Sequence, residues 1–102
     1  MPSLTTLTNE PVHAAQPHSV LVRVNAGPAA ATVSVTLQQT QGKQPFIALQ
    51  TKQATVGMTG DAYVLFTIAL AGPTPFATLL STATDTAGTV YTPGAQSVEV
   101  EP

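Results

Sequence analysis

The sequence predicts an all-β domain, a sandwich of about seven short antiparallel strands. Three observations predict it. Apolar and polar residues alternate from Ser19 onward, most cleanly in Thr32-Val33-Ser34-Val35-Thr36-Leu37-Gln38. Turn signals rich in Gly, Pro and Asp recur about every eight to fourteen residues. No segment carries a helical period.

Successive side chains on a strand point to opposite faces, so alternation marks a strand with one face buried. Residues 1–18 carry Pro2, Pro11 and Pro17. Proline lacks the N–H a central strand needs, so this segment reads as an extended arm or edge strand, with a short strand at Leu4–Thr8. The domain proper runs over 19–102. Ser19–Asn25 is a strand with Val20, Val22 and Val24 on one face, ended by Ala26-Gly27-Pro28. Thr32–Gln39 follows and turns at Gln41-Gly42-Lys43. Phe46–Leu49 and Lys52–Val56 are two weaker pieces before the loop Gly57-Met58-Thr59-Gly60-Asp61. Ala62–Leu70 is the strongest strand, with Val64, Phe66, Ile68 and Leu70 inward. Beyond the turn 71–75, Phe76–Thr84 leads into Asp85-Thr86-Ala87-Gly88. There Asp85 can bond its own backbone and Gly88 supplies positive φ. Thr89–Tyr91 and Ser97–Glu101 form a last strand broken at Pro93-Gly94, where a bulge or kink is expected.

The chain has 102 residues, enough for one domain and one core. Only 8% of residues are charged, against about a quarter in ordinary domains. The surface must therefore be Thr, Ser, Gln and Ala, which repels neighbours weakly and suits an assembly. Arg23, Lys43 and Lys52 are the only Lys or Arg residues, too few for a nucleic-acid patch. Cysteine is absent, which excludes disulfides and thiolate metal sites. The first residues lack the basic-then-apolar pattern of a signal peptide, and no apolar run is long enough for a membrane-spanning helix. The expectation is a protein made and used without secretion, or a mature module preceded by an added Met.

Few residues suggest chemistry. Glu10, His13 and His18 are close in sequence and offer a metal ligand set, against the plainer reading of three exposed polar residues on the arm. Asp61 and Asp85 could contribute to a calcium site with loop carbonyls, but turn roles account for both. Glu99 and Glu101 share the outward face of the last strand. No base is placed to activate a Ser or Thr, so the expectation is a protein that is not an enzyme and uses no metal or cofactor. Tyr63 and Tyr91 could form an aromatic platform for sugar. The outward face is more informative. If Val20, Val22 and Val24 point inward, Leu21 points out beside Arg23. If Val64, Phe66 and Ile68 point inward, Tyr63 and Leu65 point out. On neighbouring strands, Leu21, Tyr63 and Leu65 make one exposed apolar stripe, the candidate partner-binding residues.

The stretch Leu79-Leu80-Ser81-Thr82-Ala83-Thr84-Asp85-Thr86-Ala87-Gly88, followed by Val98-Glu99-Val100, resembles the end of bacterial and phage immunoglobulin-like modules of the Big and CARDB kind. Ser19 to Gly60 is similar to their other half. Ala77 departs from the pattern, standing where many such modules place an aromatic residue; a tyrosine-corner lock is not expected. The resemblance implies an immunoglobulin-like sandwich and a structural or adhesive role. Without a secretion signal it implies a phage virion component, a decoration of the capsid or part of the tail. Its partners would be proteins, either a capsid or tail lattice or sister subunits in a homo-oligomer, with no nucleic acid or membrane. The alternatives are an adhesion or cell-wall module at the bacterial cell surface, and a small carbohydrate-binding β-sandwich.

Overall fold

A computed structural model of the chain describes residues 2–8, 12–41, 47–69 and 74–101. Among them lie eight strands in two sheets arranged as a sandwich. One sheet holds β1 (Ser3–Leu7), β3 (His18–Asn25) and β6 (Ala62–Ile68), in the order β1-β3-β6. The other holds β2 (Val12–His13), β8 (Gly94–Glu101), β7 (Thr74–Asp85), β4 (Thr32–Gln41) and β5 (Ile47–Thr55), in the order β2-β8-β7-β4-β5. All pairings are antiparallel except β2 with β8, which is parallel.

The alternating residues supply the core. Val20, Val22 and Val24 on β3, Val33, Val35 and Leu37 on β4, and Phe66 on β6 are fully buried. β-branched side chains fit this pleated, half-buried setting, and full burial of each is worth about 1.5–3 kcal/mol. Leu4 from β1 and Val12 from β2 join the same core.

Several expectations are corrected. There are eight strands, not about seven, because the two-residue β2 pairs alongside β8. The two weak pieces after the Gln41 turn are, over the described residues, one strand, β5, with a register shift opposite Leu37/Gln38 that leaves Leu49 without a partner on β4. The bulge reverses the alternation at Leu49, which is why it reads as a break. The last strand is continuous from Gly94, and residues 89–91 lie outside it. Within the segment 1–18, read as an extended arm or edge strand, β1 lies at the edge of its sheet and pairs in full with β3, one residue earlier than the strand expected at Leu4–Thr8.

The two lateral seams of the sandwich are closed by side chains. On one, β5 faces β6. Across the β4–β5 ladder Lys52 is opposite Val35 and Gln50 opposite Leu37, so both point inward from the edge strand. Lys52 Nζ donates to the Leu65 carbonyl (2.8 Å) and Gln50 Nε2 to the Thr67 carbonyl (2.8 Å). Inward polar residues of this kind blunt an edge against foreign strands. On the other seam, β1 runs beside residues 92–96. Leu4 N–H donates to the Thr92 carbonyl (2.9 Å), and Thr92 N–H to the Pro2 carbonyl (3.0 Å). The buried Thr6 and Ser81 hydroxyls bond each other at 2.7 Å, and both lie within bonding distance of the Gly94 carbonyl. The Gln96 amide takes both the N–H and the carbonyl of Thr8, each at 3.1 Å.

Gly94 is required by this approach. A Cβ there would stand 2.4 Å from the Leu4 carbonyl oxygen and 2.8 Å from its carbon, both backbone atoms that cannot rotate away. Gly94→Ala is expected to destabilise the domain by about 2–3 kcal/mol, the cost of overpacking a closed contact. Urea unfolding at neutral pH measures it.

Candidate protein interface

The outer face of the β1-β3-β6 sheet brings the outward residues into register. β1 places Leu7 opposite Leu21, and β6 places Leu65 opposite Leu21, so one row of leucines crosses all three strands. The neighbouring row is Thr5, Arg23 and Tyr63. Leu7, Leu65 and Tyr63 are 48%, 55% and 59% exposed, while Leu21 on the central strand is half-buried between them. Leu21, Tyr63 and Leu65 are thus assembled on one surface. Leu7 was missed, because the short strand read at Leu4–Thr8 was given no inward and outward face. Its signal was present: Leu4 and Leu7 have opposite parity, so one must face out if the segment is a strand. Among the described residues, the other exposed large apolar side chains are Ile47 on β5 and Met58 and Val90 in two loops, none of them on this sheet.

At the Leu7 end the face sinks into an open depression of about 370 Å³ lined by Leu7, Thr8, Ser19, Leu21 and Leu65. Its rim is pinned. Thr8 is held by Gln96, and its hydroxyl donates to the Ser19 carbonyl at 3.0 Å. The same hydroxyl oxygen contacts His18 Nε2. These contacts tie the rim of the depression together.

At the other end Arg23 pairs with Asp61 at 3.3 Å and lies 5.9 Å from the centre of the Tyr63 ring. An exposed pair of this kind adds at most about 1 kcal/mol. Its consequence for the face is neutrality, since Arg23 is the only charged residue in the described rows and Asp61 balances it.

The remaining candidates are dispersed. His13 is exposed on β2 opposite Glu101, His18 is tied to Thr8, and Glu10 lies outside the described residues. No group of three His, Cys, Asp or Glu that could hold a metal occurs among the described residues. Asp85 accepts hydrogen bonds from Ala87 N–H (3.0 Å), Thr89 N–H (2.9 Å) and the Tyr91 hydroxyl (2.9 Å), and so ties the β7–β8 connection together. Gly88 there has φ +76°. Tyr91 is 6% exposed, so it offers no sugar platform with Tyr63. Ala77 is buried at 1% and supplies no aromatic lock; the Tyr91–Asp85 bond clasps a different corner. No protein-family model matches this chain, and no curated protein matches its sequence.

The clasp sets opposite pH limits. The Thr89 amide above all, with the Tyr91 hydroxyl and the Ala87 amide, holds the Asp85 carboxyl below its ordinary 3.8 against the opposing effect of desolvation. Burial, then the Asp85 bond and charge, pushes the Tyr91 phenol from 10.0 up to about 12. The Asp85 contribution is complete above pH 3.8 and is lost as pH falls through its lowered folded value. The Tyr91 contribution is complete below pH 10 and is lost as pH rises through about 12. In a Tyr63→Phe variant, where Tyr91 is the sole tyrosine, ultraviolet titration is expected to show a midpoint near 12. Asp85→Ala should be less stable than wild type at neutral pH, with the gap closing well below pH 3.8.

The face itself predicts a contrast. Leu65→Asp places a charge on the exposed face and is expected to shift stability by less than about 1 kcal/mol. Val35→Asp buries an unpaired charge at a site with no exposure and is expected to abolish folding. Circular-dichroism melts of the two variants check both.

Proposed function

We propose that this protein is a non-enzymatic structural component that works through protein–protein contacts, with the outer face of β1, β3 and β6 as its contact surface. One observation carries the reading. The exposed apolar side chains of Leu7, Leu65 and Tyr63 adjoin Leu21 in one contiguous patch, whereas the exposed Ile47, Met58 and Val90 stand on β5 and in two loops. Contiguous exposed apolar patches mark interaction sites.

An immunoglobulin-like topology is the finer reading of the sandwich. Lettered in chain order as A, A′, B, C, C′, E, F and G, the strands give A-B-E in one sheet and A′-G-F-C-C′ in the other. Immunoglobulin domains likewise divide A, B and E from C, F and G, and this supports the reading. The setting inferred from the resemblance is a phage particle, with the domain decorating a capsid or belonging to a tail, its partner a lattice protein or a sister subunit. Adhesion at a bacterial surface is the rival setting; the same face serves either, because fold alone does not choose a function.

The test is made in the organism that carries the gene. Virus particles and cell walls are purified separately and probed for the chain. The expected result is wild-type chain on the particles and at least a tenfold loss with Leu65→Asp. Chain confined to the wall fraction overturns the virion setting. Particle binding indifferent to Leu65→Asp overturns the face.

A further inference from the structure

We propose that the occupant of the Leu7–Leu21–Leu65 face is a single amphipathic α-helix of a partner protein, lying across the strands with an uncharged apolar stripe on the leucine row. This rests on the reading of that face as a protein interface, and goes beyond it by naming what binds.

The first argument is that the sheet cannot be extended. The outer edge of β6 already receives Lys52 and Gln50 on the carbonyls of Leu65 and Thr67. The outer edge of β1 is engaged by Thr92 and by the Gln96 amide. A partner strand would have to displace these bonds on either side, so the partner lies on the face rather than at an edge. The second argument concerns the partner's own backbone. The leucine row itself offers only apolar side chains, with Thr5, Arg23, Ser19 and Thr67 on its flanks. A lone extended segment laid on it would leave its N–H and carbonyl groups unpaired, whereas a helix satisfies its own.

The third argument is size. A three-stranded face is about 14 Å wide and the apolar part about 20 Å long at most, roughly 300 Å², well short of the ~800 Å² that each partner buries in a stable interface of standard size. A second copy packed face to face would therefore need contacts elsewhere. The leucine row is one residue deep, with Thr5, Arg23 and Tyr63 on one side and Ser19 and Thr67 on the other. Two interstrand spacings put Leu7 and Leu65 about 9.6 Å apart. Positions i and i+7 on one helix face are about 10.5 Å apart, with i+3 and i+4 between them over Leu21. A narrow row of that length fits the contact stripe of one helix and not the broad inner face of a sheet. The depression between Leu7, Leu21 and Leu65 takes the central anchor. Charge points the same way: with Arg23 balanced by Asp61, a charged stripe would find no counterion on the face.

The probe is a displayed library of random 15-residue peptides, selected on the full chain and counter-selected on Leu65→Asp. Leu65→Thr, which keeps a strand-forming side chain without adding charge, serves as a second counter-selection if Leu65→Asp does not fold. The expected result is enrichment of peptides with apolar residues at i, i+3 or i+4, and i+7. They should gain helical circular dichroism on binding, shift the amide resonances of Leu7, Leu21 and Leu65, and bind the Leu65 variants at least tenfold more weakly. Enriched peptides that bind the same face but alternate apolar and polar residues overturn the helix and leave the interface standing. No enrichment that depends on Leu65 overturns both.

Discussion

The passage of β1 over Gly94 is the constraint on which the rest of the structure depends. A Leu4 carbonyl that would lie 2.4 Å from any Cβ at position 94 leaves room for glycine alone. That closeness lets the Thr6 and Ser81 hydroxyls meet in the core and brings Gln96 within reach of Thr8. Once β1 is pinned there, its pairing with β3 fixes where Leu7 stands, and so fixes the leucine row. The opposite seam works by different chemistry. Long polar side chains from β5 reach to the carbonyls of β6, and Lys52 lies 5.8 Å from the centre of the Phe66 ring as it does so. Both seams are thus closed from within the molecule by bonds between the two sheets.

Much of this fold was legible in the sequence, because period-two alternation is a local signal. β3, β4 and β6 bury every second residue, and their inward valines were identifiable without any partner strand. From those three strands the outward set Leu21, Tyr63 and Leu65 followed by parity alone. The Asp85–Gly88 turn was legible for the same reason: its bonds close within four residues.

What was not legible depends on distant neighbours. Thr6 and Ser81 are 75 positions apart, and Thr8 and Gln96 are 88 apart. Nothing in the composition near Thr6 announces a hydroxyl partner, so a buried threonine reads as a surface one. Gly94 follows a proline and reads as turn chemistry, although its work is to admit another backbone. Leu49 falls on a bulge, where one extra residue cancels the alternation that identifies a strand. Lys52 points inward from an edge, the reverse of what charge suggests. Tyr91 has an aromatic signature compatible with a surface platform; only the carboxylate of Asp85 shows why it is buried.

The seam between β1 and the residues around Gly94 also bears on the order of events during synthesis. A ribosome releases Leu4 and Thr6 early, and their partners Thr92, Ser81 and Gly94 much later. Until then β1 has β3 but no second sheet to lean on, and half of the core has no lid. Pairings between distant segments are entropically expensive and slow, and they dominate this topology. The nascent chain must therefore carry its valine-rich strands unsealed through most of its translation. A surface so poor in charge gives them little electrostatic protection from one another while they wait.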